Sequence, residues 1–395
     1  MRILHTADWH LGRMLEGRGR LEEQAAFVDE IIEIVEREGI DLVLIAGDVY
    51  DTVNPPAAAE QLFYEGVSRL SDGGRRPVVV IAGNHDNPDR IAAAGPLANE
   101  RNITLVGLPT ANVQEIGISR TGERAKLFSL PYPSESRLRE VLTDSTDEAV
   151  LRGAYTAKVA HLVAQQAPAF GPDTVNLLMS HIYVLGGAET DSERPIQVGG
   201  AYTVDTAALT AQGLQYVALG HLHRPQTLKA SVPIRYSGSP LAYSFSEAGQ
   251  AKSVTILEAA PGQPVQLREV FLSSGHPLVR WRAVQGISQV HAWFDEGKDL
   301  AAWIDLELHL TEALSMEQIQ TLRKERGKLV NIRVIYPDTL DAERSAAREE
   351  LPIDELFRRF YTKQTGGAEA DAETIRLFLE LVGESGDASE RGDAS

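Results

Sequence analysis

The sequence contains no cysteine, which excludes disulfide bonds and thiolate metal ligands. It also has no apolar run approaching the ~20 residues that a membrane-spanning helix needs. Residues 1–4 pass directly into a strand-like run and lack the charged, apolar and small-residue segments of a signal peptide. These absences predict a cytoplasmic protein that does not associate with a membrane.

Basic residues are scarce relative to acidic ones, since 38 Lys and Arg accompany 56 Asp and Glu for a net charge of −18. Nucleic-acid-binding proteins usually carry a basic surface, so this total argues against strong nucleic-acid binding by the chain alone. Part of the excess lies in residues 341–395, which hold 14 acidic and 7 basic side chains. Bound divalent cations would also change the local field at a site. We expect much of any affinity for nucleic acid to come from a partner.

The first part of the chain, residues 1–270, has the pattern of a layered α/β domain, because short β-rich runs alternate with helical or loop stretches. The predicted strands are residues 2–5, 42–46, 78–82, 126–130, 175–180, 216–219, 234–237 and 253–258. An amphipathic helix ending at Gly39 is predicted between the first two strands. Its apolar residues recur at three- and four-residue spacing: Leu21, Ala25, Val28, Ile32 and Val35.

A second, smaller unit is predicted over residues 275–337. It has an α+β pattern with strands at 278–281, 303–310 and 331–336 and helices at 288–295 and 316–325. A polar linker then leads to two amphipathic segments within residues 351–383, which predict a helical pair. Residues 384–395 have the composition of a disordered tail.

Five polar clusters each follow a predicted strand. They are Asp8-Trp9-His10, Gly47-Asp48-Val49-Tyr50-Asp51, Gly83-Asn84-His85-Asp86, Ser180-His181 and Gly220-His221-Leu222-His223. Open α/β sheets bind ligands beyond the carboxyl ends of their strands, so we expect all five clusters to meet at one rim. The glycines permit the sharp turns that leave the neighbouring side chains projecting.

The donor types in these clusters predict a pair of metal ions. Carboxylate, amide oxygen and imidazole without sulfur suit Mn²⁺, Fe or Zn²⁺ better than Mg²⁺ or Ca²⁺. The set is too large for one ion and suits two that share a carboxylate. Two metals ~3.5–4 Å apart can hold both the attacking and the leaving oxygen of a displacement at phosphorus. The sequence therefore predicts a phosphoesterase.

A single His or Asp after a strand is usually a cap or a surface residue, but five such clusters in this order are not explained in that way. The remaining histidines are interpreted as strand, helix or surface residues without metal partners: His5, His161, His276, His291 and His309. For Asp51 and Asp86 two interpretations stay open. Each either orients a neighbouring group or caps a helix.

The order and spacing of the clusters resemble the calcineurin-like metallophosphoesterases, whose fold is a pair of packed sheets flanked by helices. Longer stretches are similar to the SbcD nuclease subunits of the bacterial SbcC–SbcD complex. These stretches are residues 7–12, 191–195, 218–226 and 236–240. The resemblance covers nearly the whole chain and implies the two-sheet sandwich, a small α+β capping domain and a C-terminal helical pair.

The resemblance also implies roles for individual residues. One metal would be held by Asp8, His10, Asp48 and His223. The other would be held by Asp48, Asn84, His181 and His221, with Asp48 bridging the two. His85 would contact the scissile phosphate as a catalytic residue and help the leaving oxygen depart. Some relatives carry a His where this chain has Asp51, so no catalytic role is assigned to Asp51.

The implied activity is Mn²⁺-dependent 3′→5′ exonuclease action on duplex DNA and endonuclease action on single strands and hairpins. The expected cofactor is two Mn²⁺ ions, although the metal used in the cell stays open. The expected partners are DNA, the SbcC ATPase in a heterotetramer, and a second copy of the chain through the nuclease domain. The role would lie in DNA end processing, repair and recombination.

Two alternatives remain at the sequence level. The first is a metallophosphodiesterase or protein phosphatase that acts on a substrate other than DNA, although ~120 residues after the catalytic domain exceed what a minimal small-molecule enzyme needs. The second is a scaffold that keeps the fold and has lost its metals. All seven expected ligands are present, which argues against the scaffold.

The C-terminal segments carry a physical argument of their own. Apolar residues recur at helical spacing in both: Ile353, Leu356, Phe357, Phe360 and Tyr361, then Ile375, Phe378, Leu379 and Val382. Short helices gain their stability from packing, and these two could simply pack on each other. Their combined aromatic surface exceeds what one small hairpin buries, which predicts a partner site. The resemblance implies that this site docks on the SbcC coiled coil.

Overall fold

The computed structural model describes residues 1–110, 112–138, 140, 142–143, 147–193, 202–336, 353–364 and 370–379. The chain divides into two compact units. The first comprises residues 1–281, 297–306 and 322–331, and the second comprises residues 282–296, 307–321 and 332–395. The predicted domain limits at 270, 275, 337, 351 and 383 remain predictions.

One six-stranded sheet contains the first four strands of the chain and two later ones. Its strands are β1 (Arg2–Thr6), β2 (Leu42–Ile45), β3 (Val78–Ile81), β4 (Ile103–Val106), β13 (Ser253–Glu258) and β14 (Gln266–Phe271). Their order across the sheet is β14-β13-β1-β2-β3-β4. Strands β1 to β4 are parallel, while β13 is antiparallel to both β1 and β14. The parallel strands are almost continuously apolar, as expected for strands that are covered on both faces.

A second six-stranded sheet is built from the middle of the chain. Its strands are β5 (Val113–Gly117), β6 (Arg124–Leu130), β7 (Val175–His181), β10 (Tyr216–Gly220), β11 (Gln226–Leu228) and β12 (Ile234–Tyr236). Their order is β11-β12-β10-β7-β6-β5. The four central strands β6, β7, β10 and β12 are parallel, and the two edge strands are antiparallel. A short pair, β8 (Tyr183–Val184) and β9 (Thr203–Val204), stands apart.

The helices of this region are α1 (Leu21–Arg37), α2 (Ala57–Leu70), α3 (Pro88–Ala93), α4 (Gly95–Asn99), α5 (Glu135–Leu138) and α6 (Glu148–Ala164). Alternation along the strands sorts the core into layers. In β1 and β2, Ile3 and Leu44 face the second sheet, whereas Leu4 and Val43 pack with α1 and α2. On the far side, the second sheet packs on α6. The predicted sandwich flanked by helices is confirmed.

The later elements are β15 (Leu278–Ala283), α7 (Ile287–Asp295), β16 (Trp303–His309), α8 (Met316–Glu325) and β17 (Leu329–Ile335). The three strands form a sheet in the order β15-β16-β17. The predicted order of strands and helices is confirmed here, and every end lies within two residues of its predicted position. A further helix, α9, spans Ile353–Gln364, and residues 372–379 are also helical.

The predicted linker over residues 337–350 and the predicted tail over residues 384–395 lie outside the described residues, as do Leu381 and Val382. Within the described part of the chain, every helix is too short or too polar to cross a membrane.

Candidate metal centre

The five polar clusters lie at the carboxyl ends of β1, β2, β3, β7 and β10, where the two sheets meet. Backbone strain is concentrated there, because Asp8 (φ 55°), His10 (φ 44°), Asp48 (φ 48°) and His221 (φ 111°) all have positive φ. Such conformations are costly for residues other than glycine and cluster at functional sites. The loops therefore direct these side chains at one point in spite of a conformational cost.

Two glycines allow the loops to approach each other closely. A Cβ atom on Gly83 would lie 2.1 Å from Asp48 Oδ1, and a Cβ atom on Gly220 would lie 1.9 Å from the carbonyl oxygen of Ala46. No side chain fits at either distance. Glycine at these positions brings the end of β3 against the Asp48 loop, and the end of β10 against the end of β2.

The first group of potential ligands is Asp8, His10 and His223, all buried, with one donor atom of each within 4.8 Å of the others. His10 Nε2 lies 3.0 Å from His223 Nε2. The Asp8 carboxylate accepts the backbone N–H of His221 at 2.9 Å, which orients it. This group contains three of the predicted ligands for one metal.

The second group is Asp48, His181 and His221. Asn84 completes it, since its Oδ1 lies 2.9 Å from His181 Nε2 and 3.2 Å from His221 Nδ1. Asp48 Oδ2 lies 3.4 Å from His181 Nε2 and 3.7 Å from His10 Nε2. The Asp48 carboxylate therefore reaches both groups, which is the position that a bridging ligand would occupy.

The hydrogen bonds of these side chains fit a cation better than they fit one another. His181 Nδ1 lies 2.9 Å from the Ala46 carbonyl oxygen, so Nδ1 carries a proton. When His181 is neutral, its Nε2 atom carries a lone pair and lies 2.9 Å from the Asn84 amide oxygen. Both atoms are then hydrogen-bond acceptors, so no hydrogen bond forms between them. The Nε2 atoms of His10 and His223 also face each other, at 3.0 Å. Divalent cations at this point would satisfy the converging lone pairs.

Burial and neighbouring carboxylates shift the pKa values of the histidines in opposite directions. Burial lowers the pKa of His10 and of His221 well below the usual value, which keeps both imidazoles neutral and able to donate lone pairs. Burial opposes protonation of His181 too, but the Asp48 and Asp8 carboxylates raise its pKa to about 9. Without a metal, the site draws a proton to His181.

The pKa values of the Asp8 and Asp48 carboxylates shift in opposite directions. Burial raises the pKa of Asp8 well above its usual range. For Asp48, burial acts in the same direction, yet the charges of His181 and His85 hold its pKa well below that range. Asp48 is thus the carboxylate that stays ionised, and a bound cation would favour the ionised form of Asp8 as well.

His85 lies at the edge of the centre. Its Nδ1 is 2.7 Å from the backbone carbonyl oxygen of Asp51, so the Nδ1–H group donates a hydrogen bond to that oxygen. Its Nε2 lies 3.9 Å from Asp48 Oδ2. The side chain lines an open cleft of about 560 Å³ together with Arg13 and Met14. His85 also forms a third possible ligand group with His10 and Asp51, so distance alone does not separate a ligand from a phosphate contact.

Residues 1–225 match the calcineurin-like phosphoesterase family. The SbcD subunit of the SbcCD nuclease from Bacillus subtilis (strain 168) is 55% identical over 384 residues, which cover 97% of this chain and 98% of that protein. The chain belongs to the SbcD family of calcineurin-like phosphoesterases. Residues 274–365 of the SbcD-family chain match the type 5 capsule protein repressor C-terminal domain.

Two solved structures are similar to the SbcD-family chain at 12% identity. GAP50, the anchor in the inner membrane complex of Plasmodium, has a TM-score of 0.41 and covers 86% of this chain and 98% of its own. A dimetal phosphatase from Danio rerio has a TM-score of 0.37, and the match covers 68% of this chain and 98% of the phosphatase. At these scores the likenesses bear on no further conclusion.

The two open interpretations of Asp86 can now be separated. Its buried carboxylate accepts the backbone N–H groups of Val49 (3.1 Å), Tyr50 (2.9 Å) and Gly83 (2.8 Å). The cap of α3 is instead Asn87, whose side chain accepts from the first turn. Asp86 therefore orients the two loops of the SbcD-family site. Burial and the Asp48 charge raise its pKa to about 6.

Asp51 also faces the centre. Its carboxylate lies 3.8 Å from His10 Nδ1 and 3.7 Å from Arg13 Nε. Asp51 therefore faces His10 and Arg13 and does not act as a helix cap, since α2 begins six residues later and is preceded by Pro56.

The other histidines lie apart from the three ligand groups found among the described residues. His5 is buried between the sheets, where its ring bonds Tyr216 Oη at 2.9 Å and the Leu219 carbonyl oxygen at 3.1 Å. Burial lowers the pKa of His5 to about 3. His309 bonds Glu307 at 2.9 Å. His5 lies in β1 and His309 in β16, so both are strand residues, as predicted.

Sequence reasoning missed two sets of supporting residues. Arg137 donates to the carbonyl oxygens of Gly83 (2.8 Å) and Asp86 (2.7 Å) and so holds both ends of the loop that carries His85. Ser192 and Glu193 contact His223. The stretch 191–195 stood out only through the family resemblance, and nothing local in the sequence pointed to Arg137.

Proposed function

We propose that this chain is the Mn²⁺-dependent DNA nuclease subunit of an SbcC–SbcD complex, with exonuclease action on duplex ends and endonuclease action on single strands and hairpins. The observation that carries the proposal is Asp48, whose carboxylate lies between two sets of buried potential ligands. The 55% identity to the SbcD subunit of an SbcCD nuclease, over nearly the full length, supports DNA as the substrate.

In this proposal, one metal is held by Asp8, His10, Asp48 and His223, and the other by Asp48, Asn84, His181 and His221. When bound, two divalent cations lower the pKa of water and stabilise negative charge on phosphoryl oxygens. No sulfur ligand is available from cysteine, and the mixed oxygen and imidazole donors suit Mn²⁺.

The protein's own part in the reaction is orientation and electrostatics. The bond from His85 Nδ1 to the Asp51 carbonyl oxygen fixes the imidazole, so that Nε2 is directed toward the centre. From there, Nε2 can contact the scissile phosphate and support departure of the leaving oxygen, as a general acid or electrostatic group. Asp86 and Arg137 hold the loop that carries His85.

We further propose that the C-terminal helices dock on the SbcC coiled coil. Phe357 and Phe378 stack at 4.1 Å between ring centroids with an interplanar angle of 9°, so the helices do pack on each other. Large apolar side chains nevertheless stay exposed: Ile353 (48%), Phe360 (59%), Leu377 (57%) and Leu379 (38%). An apolar surface of this kind supports a partner site.

A heterotetramer with SbcC, a homodimer through the nuclease domain and a cytoplasmic location complete the proposal, and these rest on the family membership. A partner that supplies DNA affinity also agrees with the net charge of −18.

Cleavage of an end-labelled DNA hairpin tests the proposal. Purified chain would be assayed with Mn²⁺ or EDTA, with and without SbcC and ATP, beside a small aryl phosphodiester as a non-DNA substrate. We expect Mn²⁺-dependent hairpin cleavage by the chain and ATP-stimulated degradation of duplex ends only with SbcC. Hydrolysis of the aryl ester alone would indicate a phosphodiesterase with a non-DNA substrate, and inactivity on both would indicate a scaffold.

A further inference from the structure

A polar segment lies directly behind His223, on the side away from the proposed metals. Ser192 Oγ is 2.7 Å from His223 Nδ1, and both side chains are buried. The backbone N–H of His223 donates to Glu193 Oε1 at 2.8 Å. The same short segment therefore contacts both the ring and the main chain of His223.

The protons in this segment can be counted from its far end. Thr190 Oγ1 donates its single proton to Glu193 Oε2 at 2.6 Å, because a carboxylate oxygen only accepts. Thr190 must then accept from Ser192 Oγ, which lies 2.7 Å away. Because Ser192 donates its only proton to Thr190, it accepts from His223 Nδ1. The imidazole proton is thereby fixed on Nδ1, and the lone pair is on Nε2.

The Nε2 atom faces the centre, 3.0 Å from His10 Nε2. We propose that Thr190, Ser192 and Glu193 form a positioning relay that holds His223 in the tautomer and orientation needed to bind a metal through Nε2. The proposal rests on the function proposed above, in which His223 is a ligand. Outer partners of this kind fix the tautomer of metal-binding histidines in other proteins.

The relay is itself held in place. Arg13 Nη2 donates to the Ser192 carbonyl oxygen at 2.7 Å, and the backbone N–H of Asp191 donates to Ser246 Oγ at 3.1 Å. Glu247 is the competing acceptor for His223, but its Oε1 is 3.6 Å from Nδ1 and already accepts the Tyr243 N–H at 2.9 Å. At 2.7 Å, Ser192 is the hydrogen-bond partner of the ring.

Calorimetric titration of the full chain with Mn²⁺ tests the relay. Ser192→Ala removes the acceptor, and Glu193→Gln places an amide N–H₂ where the relay needs an acceptor. We expect either change to weaken one of the two Mn²⁺ sites by ~10–100-fold and to leave the other near its wild-type affinity. Ser192→Thr keeps the hydroxyl and should restore most of the affinity.

Ser71→Ala is the matched control, because it removes another buried serine hydroxyl, at the end of α2, where it donates to the Ser68 carbonyl oxygen. It should leave both Mn²⁺ affinities unchanged. His223→Ala distinguishes a failure of the His223 ligand assignment from a failure of the relay. If His223→Ala binds two Mn²⁺ ions normally, the ligand assignment in the proposed function fails. If His223→Ala loses a site while folded Ser192→Ala and Glu193→Gln retain both affinities, only the relay is wrong.

Discussion

Replacing Asp86 by alanine should destabilise the fold and the site together. The carboxylate accepts three backbone N–H groups, two from the loop that carries Asp48 and one from Gly83, which precedes Asn84. All three bonds are buried. Removal of the side chain therefore leaves three donors without partners where the loops that carry Asp48 and Asn84 meet.

The size of the effect follows from the count of bonds. A buried donor left unsatisfied costs about 1–3 kcal/mol, so three donors give an upper range of about 3–9 kcal/mol. Water that enters the space left by the carboxylate offsets part of this cost. We expect the free energy of unfolding to fall by roughly 3 kcal/mol or more in Asp86→Ala.

Asp86→Asn offers a graded comparison. Oδ2 accepts two of the three N–H groups and Oδ1 accepts the third, from Tyr50. An amide placed with its oxygen in the Oδ2 position keeps two bonds and turns an N–H₂ group toward Tyr50. The expected loss is therefore that of one bond, about 1–3 kcal/mol.

Urea unfolding followed by circular dichroism measures both variants. Asp29→Ala is the control, since it removes a carboxylate that is 56% exposed and pairs with Arg69 on the surface. Such pairs contribute about 0–1 kcal/mol. The reasoning is refuted if Asp86→Ala unfolds within about 1 kcal/mol of wild type, or if Asp86→Asn is the more damaging change.

Three further predictions concern the metals, His85 and the C-terminus. Asp48→Ala should weaken both Mn²⁺ sites in a calorimetric titration, and one site surviving intact would count against a bridging carboxylate. His85→Ala should lower the rate of hairpin cleavage by ~10²–10⁴-fold while retaining both Mn²⁺ ions. Loss of an ion in this variant would instead make His85 a ligand. Deletion of residues 351–395 should leave Mn²⁺-dependent cleavage of single-stranded DNA largely intact and abolish co-purification with SbcC; undiminished SbcC binding would show that this segment is not the docking element.

The central parallel strands could be predicted from the sequence, whereas the edge strands could not. Residues 42–45 and 78–81 are continuous apolar runs because both faces of each strand are buried. In β14, Arg268 and Glu269 are exposed, and the strand is fixed by its pairing with β13. Because β14 depends on its pairing with β13, its own residues carry little of the apolar pattern that identifies a strand in the sequence.

The clustering of the proposed ligands could also be predicted, since each follows a strand and strand ends meet at one rim. The residues that hold these side chains in place could not be predicted. Ser192 meets His223 across 31 residues of sequence, and Arg137 reaches Gly83 across 54. The three N–H groups that bind Asp86 are backbone atoms, which carry no sequence signal of their own. Only the folded arrangement of the loops brings these partners together.

A crystal structure with Mn²⁺, with anomalous scattering recorded at the manganese edge, tests the central claim most directly. The account predicts two anomalous peaks ~3.5–4 Å apart. One peak should be bound by Asp8, His10 and His223, the other by Asn84, His181 and His221, with Asp48 bound to both. A single peak, or two peaks that do not share Asp48, would contradict the two-metal centre proposed for this chain.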